Sequence, residues 1–129
     1  MDDLNLSAET PDVQTKPVDL DVLFATFGKQ LIADLLADYV LEADERMVQL
    51  SGAIRDRDIE AVNQYVHDLK GSSATIYATE LTELSTSMEA YARGNEYTWE
   101  NMRERLDAIE TAWKVTREFL AVNGYCDPK

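Results

Sequence analysis

The chain has 129 residues, 45% of them hydrophobic, which suits a single domain with one core, though hardly two. Asp and Glu number 25 against 12 Lys and Arg, a formal net charge of −13. Such a balance argues against a nucleic-acid backbone or an anionic membrane surface as partner, and solubility alone accounts for it as well as basic partners do. Residues 1 to 16 are polar, contain Pro11 and show no period; they read as a disordered tail or linker. The Met-Asp-Asp-Leu-Asn-Leu start lacks the basic region and apolar core of a signal peptide. No stretch approaches the ~20 apolar residues of a membrane span, so direct membrane contact is not expected.

After Pro17 the apolar cluster Val18, Leu20, Val22, Leu23, Phe24 and Phe27 predicts a helix of about two turns, with Asp19 as N-cap and Gly28 as stop. From about Lys29 to Arg55, Ile32, Leu35, Leu36, Tyr39, Val40, Ala43, Met47, Leu50 and Ile54 step by threes and fours along a long helix. The polar run Arg55-Asp56-Arg57-Asp58 breaks it, and Asp58 caps a third helix with a seam of Ile59, Val62, Val66, Leu69, Ser73 and Ile76. Thr79 with Glu80 and Glu83 starts a fourth, striped by Leu81, Leu84, Met88 and Tyr91 and ended by Gly94-Asn95. A fifth runs from about Thr98 to Val122, with Trp99, Met102, Leu106, Ile109, Trp113 and Leu120 inward. Residues 125–129 read as a C-terminal tail. No run alternates with period two, so no strand is expected. The fold class is all-α: an antiparallel up-down four-helix bundle, residues 17–124, with a short additional N-terminal helix covering one end. Nothing points beyond a monomer. The one cysteine, Cys126, makes neither an internal disulfide nor a zinc site, and fits a reducing, cytoplasmic setting.

The single histidine, His67, lies about 100° around the third helix from Val66, off the centre of the seam. Its helical neighbours Asn63, Gln64, Lys70 and Gly71 are polar or tiny, which places the imidazole at the surface. A glycine inside a helix costs about 1 kcal/mol relative to alanine. Gly71, with Ser72, Ser73 and Ala74 behind it, clears space over the histidine for another protein. Lys70, three residues on, brings a positive charge that favours an anion such as a phosphoryl group. A lone helical histidine is more often an ordinary surface residue, and the lysine and glycine beside it argue against that reading.

The stretch His67-Asp68-Leu69-Lys70-Gly71-Ser72-Ser73-Ala74 resembles the His-x-Leu-Lys-Gly-Ser-Ser signature of histidine phosphotransfer (HPt) domains, the intermediates of multistep histidine–aspartate phosphorelays. The likeness extends over roughly residues 18 to 122. It takes in Val18–Gly28, the long second helix, Asp58-Ile59-Glu60-Ala61-Val62, then Leu81, Leu84, Met88 and Glu89, and Arg93-Gly94-Asn95. The resemblance implies that His67 is the phosphoacceptor through Nε2, that Lys70 contacts the phosphoryl oxygens, and that Gly71 admits a partner's loops. Asn63, Gln64, Ser72 and Ala74 would border that docking surface, and Glu89 would orient the histidine through its other nitrogen. It implies partners that are response-regulator receiver domains, of a hybrid sensor kinase and of a downstream regulator. These supply the aspartate and the Mg²⁺, so the chain itself needs no cofactor. One position departs from the pattern: the family often has Gly before an Ala ten residues after the histidine, where this chain has Tyr77-Ala78.

The chain carries neither G-x-x-x-x-G-K-[ST] nor G-x-G-x-x-G, so it is not expected to be an autokinase. Three other readings compete. A helical interaction module without phosphotransfer leaves Lys70-Gly71 unexplained; a metal or haem bundle lacks a paired Glu-x-x-His; a hydrolase using His67 as base lacks a nucleophile motif, although Ser72 and Ser73 are near.

Overall fold

The computed structural model describes residues 16–128; nearly all of the expected N-terminal tail, and Lys129, lie outside the described residues. Five helices follow in order: α1 Leu20–Phe27, α2 Lys29–Arg55, α3 Ile59–Thr75, α4 Thr79–Arg93 and α5 Trp99–Val122. No strand occurs among the described residues. Helix α3 packs on α2 and α4, α5 packs on α4 and α2, and the backbones of the diagonal pairs stand further apart. Short connections between consecutive neighbours make this ring an antiparallel up-down four-helix bundle.

The expected caps form. Asp19 accepts from the Val22 amide at 3.1 Å, and Asp58 from the Ala61 amide at 3.2 Å. Thr98 caps α5 by accepting from the Asn101 amide at 3.1 Å. Gly28, at φ +82°, ends α1 and turns the chain into α2. Both ends of α4 fall where the sequence placed them. Thr79 is the first residue of α4; the N-cap is Ala78, which has no side chain to offer and is buried. Gly94 ends α4 in an extended conformation at φ −75°, so its freedom to go left-handed is not used.

Two non-glycine residues are left-handed, Arg57 (φ +55°) and Tyr77 (φ +58°). At the end of α3 the Tyr77 amide donates to the Ala74 carbonyl and the Ala78 amide to the Ser73 carbonyl, the paired bonds of a Schellman turn. The same pair closes α2, from Arg57 to Ile54 and from Asp58 to Ala53. The departure from the family pattern therefore has a physical reading: a left-handed site suited to glycine is held here by tyrosine. The Tyr77 carbonyl accepts from the Asp19 amide at 3.3 Å, and this bond brings α1 over the α3–α4 turn. Val18, Leu23, Ile76 and Ala78 are buried there, so α1 covers that end of the bundle as expected.

The core takes Leu36, Tyr39, Val40 and Leu50 from α2, Val62, Val66 and Leu69 from α3, Leu81 and Met88 from α4, and Met102, Leu106, Ile109 and Leu120 from α5. Two polar ties cross it. The Tyr39 hydroxyl and the Ser73 hydroxyl lie 2.8 Å apart, both buried, and burial pushes the Tyr39 phenol above its ordinary pKa against the opposing effect of that hydrogen bond. The Trp113 indole donates to Asp44 at 2.8 Å, and Arg117 joins the same carboxylate at 3.1 Å. Residues 125 to 127, expected as a tail, instead fold back on α5. The Tyr125 amide donates to the Leu120 carbonyl, Arg117 to the Asp127 carbonyl, and Tyr125 and Cys126 pack against the core.

Candidate functional site

Helix α3 is anchored by Val62, Val66 and Leu69, all fully buried. With its seam fixed inward, the turn containing His67 must present the imidazole outward, and the side chain is 56% exposed. Across the groove, Met88 and Ala92 of α4 are buried, and Glu89 between them faces α3. The two helices bring His67 and Glu89 together although 22 residues separate them.

Glu89 is the centre of the site. The Nδ1 edge of His67 lies 2.8 Å from its Oε2, Lys70 Nζ donates to its Oε1 at 2.6 Å, and an Arg93 guanidinium nitrogen donates to Oε2 at 3.0 Å. The Glu89 side chain is only 9% exposed. The Lys70 ammonium is the strongest influence on its carboxyl; burial opposes it, and His67 and Arg93 act in the same sense as Lys70. The pKa falls from the ordinary 4.5 to about 2. An ionised carboxylate can only accept, so Nδ1 carries the ring proton of neutral His67, and Nε2 keeps its lone pair on the exposed side.

Gly71 leaves an open patch beside the ring. A Cβ built there meets nothing within 4 Å, so packing inside the chain does not require glycine at this position. Ala74 and Gln64 are exposed; Asn63 and Ser72 are half-buried. Gln64 donates to Asp68 at 3.0 Å, and Ser72 back to the Leu69 carbonyl at 3.3 Å. The Asn63 side-chain oxygen is turned inward, buried without a partner, so Asn63 offers the surface less than its place on the helix suggested. Arg46 of α2 reaches Asp68 at 3.7 Å and ties the neighbouring helix to the α3 turn that carries the histidine.

Every sequence-predicted site residue thus lies on α3 or on the facing strip of α4. The sequence reading missed two features. Glu89 lies against His67 Nδ1 as the resemblance implied, but its burial and its three donors were not read, and neither was the place of Arg93 in the cluster. The second had a local signal, since positions 89 and 93 stand one helical turn apart and an acid followed by a base at that spacing pairs. Among the described residues no group of three or more His, Cys, Asp or Glu side chains is arranged to hold a metal ion.

An all-helical bundle that presents an exposed histidine from one helix is the architecture that the resemblance to histidine phosphotransfer domains implied. The family model for the Hpt domain matches residues 34–114, more than half of the chain, and the chain belongs to that family. It is similar to the phosphorelay intermediate protein rdeA of Dictyostelium discoideum, 30% identical over 84 residues. That match covers 64% of this chain and 33% of rdeA, so the chain aligns with about a third of the relative's length. No solved structure matches the chain. No helix among the described residues is long and apolar enough to cross a membrane.

Proposed function

We propose that the chain is a phosphoryl carrier: Nε2 of His67 accepts a phosphoryl group from the aspartate of one receiver domain and yields it to another. The observation that carries this reading is the pinned imidazole. Its Nδ1–H is held at 2.8 Å by an ionised Glu89, which leaves the Nε2 lone pair directed at a partner. In the transfer the lone pair attacks phosphorus, the bond from phosphorus to the aspartyl oxygen breaks, and the aspartate leaves as a carboxylate. The ring keeps its Nδ1 proton throughout, and Glu89 balances the positive charge that develops on it. Lys70, which donates to the other oxygen of the same carboxylate at 2.6 Å, neutralises the phosphoryl oxygens.

Gly71 lets the receiver's loops close over the histidine, with Gln64, Ser72 and Ala74 at the border and Asn63 contributing its exposed part. The divalent cation of the reaction enters with the receiver. Glu89 already binds three donors, two of them cations, and such a carboxylate is poorly suited to hold Mg²⁺. The partners are receivers of a hybrid sensor kinase and of a downstream regulator, met in the cytoplasm by a monomeric carrier that makes no phosphate of its own. The similarity to a phosphorelay intermediate and the Hpt family membership support this reading.

His67→Gln tests it. The variant should stay folded, because position 67 is exposed, and should take up no acid-labile phosphate from a phosphorylated receiver. Uptake equal to that of the unaltered chain would refute the assignment.

A further inference from the structure

The single carboxylate of Glu89 serves two tasks that conflict once His67 carries a phosphoryl group. It holds Nδ1 of the ring through Oε2, and it holds Lys70 through Oε1 at 2.6 Å. A phosphoryl group on Nε2 brings a charge of about −1.5 to −2 beside the same lysine. Lys70 is attached to Glu89 by one flexible side chain and is 32% exposed, so it is free to exchange one anion for the other. If it leaves, Oε1 loses its donor and the carboxylate loses its strongest cation. The remaining cation within reach is Arg93, which donates to Oε2 at 3.0 Å from one turn further along α4.

Resting on the carrier reading above, we propose that Arg93 is a positioning residue: it keeps Glu89 charged and aimed at His67 Nδ1 while Lys70 is engaged with the phosphoryl group. The two cations divide the work. Lys70 moves between Glu89 and the phosphoryl oxygens, and Arg93 stays. In the resting chain either cation suffices to hold the carboxylate; in the phosphorylated chain only Arg93 does. Arg93 itself sits 60% exposed, away from the buried seam, so its removal leaves the core intact. Without it, Glu89 competes with the phosphoryl group for Lys70, and the phosphorylated ring loses either its counter-charge or its orientation.

The chain has one histidine, so its ring ¹⁵N signals are unambiguous. In the unphosphorylated protein, Arg93→Ala and Lys70→Ala should each keep the Nδ1–H form of His67 seen in the parent, and the double variant should show a mixture of the two neutral forms. Loss of the form in Arg93→Ala alone, or its retention in the double variant, would overturn the division of work. A second arm loads the full chain with phosphoramidate and follows the decay of phosphohistidine. Arg93→Ala should decay about two- to fivefold faster, the range open to an exposed ion pair, and Arg93→Lys should restore most of the lifetime. Equal decay in Arg93→Ala and the parent would also overturn the proposal. Failure of the parent to load at all would count against the carrier reading, and the ¹⁵N arm, which needs no phosphate, would still decide the role of Arg93.

Discussion

Glu89 and Gly71 act on His67 in opposite ways, one by contact and one by absence. The carboxyl of Glu89 is held at about 2 against an ordinary 4.5, because Lys70, His67 and Arg93 bind its ionised form in the folded chain. A lowered folded pKa stabilises the protein fully above the unfolded value, and that contribution is lost as pH falls from about 4.5 to about 2. Glu89→Gln removes the titration. The stability gap between parent and variant, measured by urea unfolding, should be widest near neutrality and should shrink through this window; a constant gap would contradict the ionised cluster. At Gly71 an added Cβ meets nothing within 4 Å, and alanine in a helix is favoured over glycine by about 1 kcal/mol. Gly71→Ala should therefore raise the melting temperature while slowing phosphoryl transfer from a receiver. A variant both more stable and unimpaired would show that the glycine does not serve close approach. Much of this strip was legible in the sequence, because His67, Lys70 and Gly71 are spaced within one turn and their shared face follows from helical geometry alone. The burial of Glu89 was not, since it depends on how α4 rotates against α3, and that rotation is fixed by residues such as Leu69 and Met88 in the common core.

Helix boundaries were legible where a polar side chain does the capping and less so where backbone geometry does. Asp19, Asp58 and Thr98 announce their helices by residue type. The Schellman turns at Arg57 and Tyr77 carry no glycine, so residue type gave no sign of left-handed backbone there. A non-glycine residue in that region costs about 1–2 kcal/mol, partly offset by the extra freedom glycine has in the unfolded chain. Arg57 is exposed, so Arg57→Gly should stabilise the bundle by about 0.5–1 kcal/mol in thermal unfolding. A loss of stability would mean that the arginine side chain contributes more than its backbone strain removes. Tyr77 is a less clean test, because it is only partly exposed and its backbone carbonyl accepts from the Asp19 amide.

At the scale of the whole molecule the bundle is a rigid mount. Short turns force consecutive helices to be neighbours, the ring closes through α5 on α2, and the exposed histidine ends up on the α3 side with its carboxylate on α4. The topology was readable from helix number and connection length. The packed C-terminal segment was not, because Tyr125 and Cys126 have no periodic pattern to mark them and are held by bonds to Leu120 and Arg117. What the mount does chemically reduces to one atom. Incubating the chain with a phosphorylated receiver and Mg²⁺ and locating the phosphoryl group by ³¹P and ¹⁵N NMR tests this most directly. The account predicts a single phosphoramidate at Nε2 of His67, with Nδ1 still facing Glu89. A phosphoryl group at Nδ1, on any other residue, or absent from the chain altogether would contradict it.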